Sequence, residues 1–342
     1  MTVSLGAPPR AQVSAAPPRA QVSAAPPRAQ VSAAPPRAQL PAPAPRSAPS
    51  RDRRFGVVAI VLSATAMGAA GLFGRMATPD GAVLGEALTF GRMAVGAVGM
   101  LVLLAFTRRL GQVRRVRLSA SVVAGGVFLG LSLATYLSAT VLTDLSRAVV
   151  LHYLGPVVAT VLARVVLKES ITRLDALSLG AAFVGMLFAA GFVGGTSGGG
   201  EQETLGTVLG VASGIFYGAA LLCYRYRSDM PSDVRCFWNF AFGAIATAAM
   251  VVVTRPDLSG MTASNWAWAA GFFVVCGLFA LGLLVVAGKH LRAAELSGLS
   301  YLEVVVALTI GVLAFGEAAS TPAVFGSALI LVAMALPLLA RR

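Results

Sequence analysis

Apolar stretches of about 20 residues alternate with short polar segments from Phe55 to the end of the chain, and each is long enough to cross a hydrocarbon layer about 30 Å thick as a helix. The first five run from Phe55 to Met76, Leu84 to Phe106, Leu118 to Leu142, Leu145 to Leu167 and Leu174 to Val193. Five more run from Thr204 to Tyr224, Val234 to Val253, Trp266 to Ala287, Ala293 to Phe315 and Thr321 to Ala340. The pattern predicts an all-α membrane protein with ten transmembrane helices. The two sets also match in sequence. Ser63, Gly68 and Arg75 recur as Ser213, Gly218 and Arg225 at an offset of about 150, while Tyr153, Leu154 and Glu169 recur as Tyr301, Leu302 and Glu317 at about 148. A repeat with an odd number of crossings places its second copy upside down. Two inverted five-helix repeats meeting at the bilayer midplane are the usual build of secondary transporters.

Composition agrees with the pattern. With 57% apolar residues, 12% charged ones and a mean hydropathy of +0.79, the chain lies far from the balance of soluble domains. The net charge of +13 raises the question of nucleic acid, but its distribution excludes that class. Arginines collect before the first stretch (Arg51, Arg53, Arg54), in the second loop (Arg108, Arg109, Arg114, Arg115, Arg117) and in each alternate loop thereafter, up to Arg341 and Arg342. The intervening loops are poor in positive charge, and the one between the halves carries Glu201 and Glu203. This alternation puts both termini in the cytoplasm. Arginine with abundant Ala, Gly and Val suggests a GC-rich bacterial genome, hence a bacterial inner membrane.

The chain divides into four parts. Residues 1–54 repeat the unit Ala-Pro-Pro-Arg-Ala-Gln-Val-Ser-Ala, which has nothing to bury and reads as a disordered cytoplasmic tail. The first five-helix repeat covers 55–193, a Gly-rich external linker 194–203, and the second repeat 204–342. No segment outside the apolar stretches is large enough for a catalytic domain. Cys223, Cys236 and Cys276 show no paired spacing, so neither a disulfide nor a metal site is expected, and no cofactor motif is present.

Ionisable groups in hydrocarbon are costly, about 3 kcal/mol on insertion scales, and are therefore site candidates. Glu303 lies close to the middle of the ninth stretch, with Ser300 and Ala307 one turn away on a small, mildly polar face; the alternative is a carboxyl that only ties two helices together. Arg92 lies about one turn outside the middle of the second stretch. It can bind a substrate carboxylate, form a fixed pair with Glu303, or snorkel to lipid headgroups. His152, Pro156, Thr160 and Arg164 follow at four-residue spacing, a polar stripe on one helical face. Pro156 frees a backbone carbonyl one turn earlier and permits bending. His152 is either a proton carrier or a neutral packing residue. Hydroxyls at the same spacing, Ser132, Tyr136 and Thr140 on the third stretch and Ser213 with Tyr217 on the sixth, either bond neighbouring helices or complete a pocket with Glu303 and Arg92.

The five-plus-five layout, Gly155-Pro156 followed by Lys168-Glu169, Glu303 followed by Phe315-Gly316-Glu317, and Phe90-Gly91-Arg92 together resemble the EamA family of the drug/metabolite transporter superfamily. The motif is split here: Pro156 lacks the preceding Glu, and Glu303 is followed by Val304. The resemblance implies export of amino acids or related small metabolites through a central cavity by alternating access. The expected substrate-binding residues are Glu303, Arg92, His152, Tyr136, Ser300 and Tyr217. Efflux of cationic or aromatic drugs, with Glu303 as counter-charge, is the alternative within transport. A membrane enzyme or scaffold is the alternative outside it, although no acidic cluster or nucleophile with its base supports an enzyme. The expected partners are a small-molecule substrate and the lipid bilayer, and the sequence leaves proton coupling and homodimerisation open.

Overall fold

Among the described residues, helix occurs within each apolar stretch. The computed structural model describes residues 50–168, 173–189, 200–226, 230–290, 299, 302–317 and 321–340. The tail to residue 49, the linker from 194 to 199, Glu169, Ser300 and Tyr301 lie outside them. Among the described residues there is no strand.

The first half consists of α1 (Ser50–Gly68), α2 (Ala70–Ala77), α3 (Gly85–Phe106), α4 (Leu110–Arg115), α5 (Ala120–Leu142), α6 (Leu145–His152), α7 (Gly155–Val166) and α8 (Arg173–Ala189). The second half has α9 (Glu201–Tyr226), α10 (Ser232–Thr254), α11 (Ala263–Phe272), a π-helical segment (Phe273–Phe279), α12 (Ala280–His290), α13 (Leu302–Phe315) and α14 (Thr321–Ala340). Among the described residues, seven segments are long and apolar enough to cross a membrane: Arg53–Ala77, Gly85–Phe106, Ala120–Leu142, Leu145–Val166, Glu201–Tyr224, Ser232–Thr254 and Ala263–Leu284. α8, α13 and α14 occupy the positions of the fifth, ninth and tenth expected stretches.

Local chemistry explains the ends. Thr262 starts α11 with a capping box, its hydroxyl accepting from Asn265 N–H while the Asn265 side chain accepts from Thr262 N–H. Gly316 adopts φ +64° and ends α13, and Lys168 adopts φ +54° at the matching point of the first half, where a Cβ makes the same turn costlier. Pro156 does more than bend the fourth stretch. The helix stops at His152, turns through Tyr153 and Leu154, and restarts with Pro156 in the first turn of α7, where its missing N–H costs nothing. The expected continuous stripe is therefore broken. His152 ends one helix, and the Thr160 hydroxyl bonds the Pro156 carbonyl in its own helix at 2.9 Å.

The halves pack by exchanging partners. α1 lies against α12 and α13, and α9 lies against α5, α6 and α7; α3 packs on its counterpart α10, and α8 on α14. Ser63 Oγ donates to the Ala280 carbonyl at 2.6 Å, and Ser213 Oγ donates to the Ser132 carbonyl at 2.8 Å. A Cβ at Gly68 would meet the Glu303 carbonyl and Val306, and one at Gly218 would meet the Gly155 carbonyl and Val158. Each pair is the other with the halves swapped, at the offsets of about 150 and about 148 found in the sequence.

Polar ties gather at the two ends of the bundle. At one end Arg109 pairs with Asp233 and the Phe55 ring meets the His290 ring at 5.6 Å. At the other, Arg147 pairs with Glu203, Thr254 Oγ1 donates to Glu86 at 2.8 Å, and Arg75 pairs with Glu317 at 2.9 Å.

Candidate functional site

Between these ends helices of both halves line a cavity of about 40 Å³, formed by Arg92, Tyr136, His152, Tyr153, Glu303 and the small or apolar residues Met67, Gly68, Ala70, Leu133, Val149 and Ala307. Five elements supply these groups: the α1–α2 junction, α3, α5, the α6 terminus and α13. Gly68 permits the closest approach, since any side chain there would collide with the Glu303 backbone.

Arg92 is buried, at 4% exposure, so it does not snorkel to headgroups. It makes no direct ion pair with Glu303 or with any other described carboxylate. Its guanidinium lies over the Phe272 ring at 5.3 Å, one Nη is 3.1 Å from the Met67 sulfur, and Nε has no hydrogen-bond partner among the described residues. A thioether and a ring are weak company for a buried cation. Thr143 Oγ1, Tyr224 Oη and Trp238 Nε1 are also buried without partners, but they are uncharged groups outside the cavity lining. Gly277 lets the π segment approach α3 closely at Arg92, because a Cβ there would stand 3.3 Å from Arg92 Cγ and from its carbonyl oxygen. Widened helical turns of this kind recur at functional sites.

Glu303 opens α13 and accepts a hydrogen bond from the Tyr153 hydroxyl at 2.7 Å. His152 is clamped between rings, stacked on Tyr217 with centroids 4.8 Å apart and tilted against Tyr136 at 4.9 Å. Its Nδ1 is 2.6 Å from Ser213 Oγ. Thus Arg92, Glu303, His152 and Tyr136 come together in one cavity, and Tyr217 backs the histidine. The hydroxyl rows do not act as rows: Ser132 ties α5 to α9 through Ser213, and Thr140 bonds the carbonyl of Leu137.

Sequence reasoning passed over Tyr153, although it recurs as Tyr301 and follows His152 directly. It also missed Met67 and Phe272 beside Arg92, for which no sequence signal exists. Glu317 lies outside the cavity and accepts from the N–H groups of Leu145 and Ser146 and from the Ser146 hydroxyl, capping α6. Arg75 completes that cluster, donating to the carbonyls of Thr140 and Thr143 over the Phe315 ring.

The sequence matches the EamA-like transporter family twice, over residues 54–191 and 204–339. The chain belongs to the EamA family. This places it in the drug/metabolite transporter superfamily and makes it a multi-pass membrane transporter by descent. It is similar to an uncharacterized transporter of Archaeoglobus fulgidus, 27% identical over 283 residues that span 82% of this chain and 95% of the relative. A protein of known crystal structure aligns over 86% of this chain and 99% of its own length with a TM-score of 0.59 at 21% identity, a likeness of fold. The two family matches fall on the halves that exchange contacts, so the cavity of this EamA protein lies where its repeats meet.

Proposed function

We propose that this EamA protein is a secondary carrier that exports amino acids or related small metabolites across a bacterial inner membrane by alternating access. Ten spans form two inverted five-helix repeats, with both termini cytoplasmic. The exchange of helix partners between halves supports the inverted repeat, because two similar units that swap contacts are related by an approximate two-fold axis and five crossings tilt that axis into the membrane plane.

The observation that carries the reading is the buried Arg92 in a cavity it shares with Glu303, paired with neither that carboxylate nor any other described one. A charge left without a counter-ion in a membrane interior is expensive, and a substrate acid that completes it offsets the cost. The cavity of about 40 Å³ has room for only a few waters. Any metabolite therefore enters only after helices part. The break between α6 and α7 and the glycine contact at Gly68 put the deformable points beside the site. Efflux of a cationic or aromatic drug is the second reading, favoured by the rings of Tyr136, Tyr153 and His152 around Glu303.

Flux in proteoliposomes, normalised to folded protein, separates them. Arg92→Lys keeps the charge and loses the guanidinium fork, so it weakens transport of an amino acid while sparing an organic cation. Glu303→Gln abolishes either flux. Wild-type flux in both variants refutes this cavity as the transport site.

A further inference from the structure

The hydrogen bonds behind His152 fix where its proton sits. Ser132 Oγ is 2.9 Å from the Ser213 carbonyl, and Ser213 Oγ is 2.8 Å from the Ser132 carbonyl. A carbonyl oxygen has no proton, so each of these contacts is attractive only if the serine supplies one. Both hydroxyl protons are thereby committed. The 2.6 Å contact between Ser213 Oγ and His152 Nδ1 then finds only lone pairs on the serine, and the ring must donate. The reverse assignment would set two lone pairs against each other 2.8 Å apart at Ser132.

We infer that His152 is held as the Nδ1–H tautomer and is a specificity-determining residue, reading a hydrogen-bond donor on the substrate through the acceptor lone pair of Nε2. No described residue donates to Nε2, and His152 lines the cavity with Arg92. Tyr136 and Tyr217 clamp the ring faces, and Tyr153 stands edge-on at 5.7 Å, so the imidazole cannot flip without disturbing three aromatic rings. Among the described side chains lining the cavity, Arg92 Nε–H is a cationic donor and His152 Nε2 a neutral acceptor, each without a partner, beside a Glu303 carboxylate that accepts from Tyr153 through one oxygen. A ligand complementary to both is an acid with a donor next to its carboxylate, that is, a 2-amino or 2-hydroxy acid. This inference rests on the cavity being the substrate site proposed above.

The test pairs acids that differ only in that donor: phenylalanine, phenyllactate and phenylpropionate, with leucine and its hydroxy and unsubstituted analogues. Binding is measured to wild type and to His152→Asn, whose side-chain N–H2 stands in for Nδ1–H toward Ser213 and offers nothing at Nε2. Wild type should prefer the amino and hydroxy acids to the unsubstituted ones by about tenfold or more, the loss expected when a buried acceptor is left unfilled. His152→Asn should erase that preference. The chain has two histidines, so nitrogen NMR in a His290→Gln background reads His152 alone and should show Nδ1–H. An Nε2–H ring or an imidazolium at neutral pH overturns the inference. So does an equal ranking of the acids by wild type and variant, and in that case the carrier reading stands. Failure of all six acids to bind overturns the substrate class together with this cavity as an acid site.

Discussion

Replacing Gly68 by Ala tests the contact on which the cavity is built. A methyl group there would lie 2.7 Å from the Glu303 carbonyl oxygen and 2.7 Å from Val306 Cβ, whereas ordinary contact begins near 3.4 Å. Neither obstacle is a flexible side-chain tip, so α1 and α13 must separate by roughly 0.7 Å, the gap between those two values. Overpacking of this size costs about 1–3 kcal/mol. Gly218→Ala meets the same geometry with the halves exchanged, at 2.8 Å from the Gly155 carbonyl and 2.6 Å from Val158 Cβ, and should destabilise similarly. The functional outcomes diverge, because only Gly68 abuts Glu303. Gly68→Ala displaces that carboxyl from Tyr153 and should reduce flux per folded molecule by about tenfold or more, on the scale of a misplaced site group. Gly218→Ala should lose abundance more than specific flux. The assay is unfolding in graded detergent, for stability, beside proteoliposome flux. Wild-type stability in Gly68→Ala would refute the close approach, and equal specific flux in the two variants would refute the link to Glu303.

Glu317→Gln should lower stability by about 2 kcal/mol, because it removes the charge that caps α6 and holds Arg75; unchanged unfolding would show that the cluster is incidental. Lys168→Gly should stabilise by about 1 kcal/mol, since φ of +54° disfavours a side chain, and Gly316→Ala should destabilise by a similar amount; a loss of stability in Lys168→Gly contradicts the turn geometry. In a background without Cys223, Cys236 and Cys276, cysteines at exposed Asp80 and at Gly111, where a side chain meets open space, should label from opposite sides, Asp80 from outside. Labelling from one side ends the proposed topology.

Much of the frame was legible because membrane helices announce themselves by run length, and internal repetition by matched positions such as Ser63 with Ser213. The site was legible in part. Arg92, Glu303 and His152 stand out because charge and imidazole are scarce in apolar stretches, and the structure brings them to one cavity. Their partners were not legible. Whether Arg92 pairs with Glu303 depends on how helices far apart in sequence are rotated. The answer, a sulfur and a ring, involves Met67 and Phe272, which look like any other apolar residues. The stripe below His152 failed for a different reason: one helix ends at His152 and the next starts with Pro156 in its first turn, so four-residue spacing across the break no longer defines a face. The π segment was invisible as well, because nothing in Phe273 to Phe279 marks a widened turn.

The exchange of contacts bears on how one site can serve two membrane faces. The backbone frame is duplicated: Gly68 and Gly218, Ser63 and Ser213, and the turns at Lys168 and Gly316 are paired across the halves. The charges are not. At the repeat offset Arg92 corresponds to Phe240, which packs with Met93 and Met100 in an apolar cluster, and Glu303 corresponds to Gly155, which makes room for Tyr217. If the protein works by the alternating access proposed above, a duplicated frame would offer two arrangements of similar energy, related by swapping the roles of the halves, which is the bistability such a cycle needs. On that proposal a single copy of each charge, set where the halves meet, would be carried through both arrangements without a second, competing site. Duplicating Arg92 at position 240 would bury an unpaired guanidinium in an apolar cluster at a cost of several kcal/mol, so stability alone favours a symmetric frame around an asymmetric site.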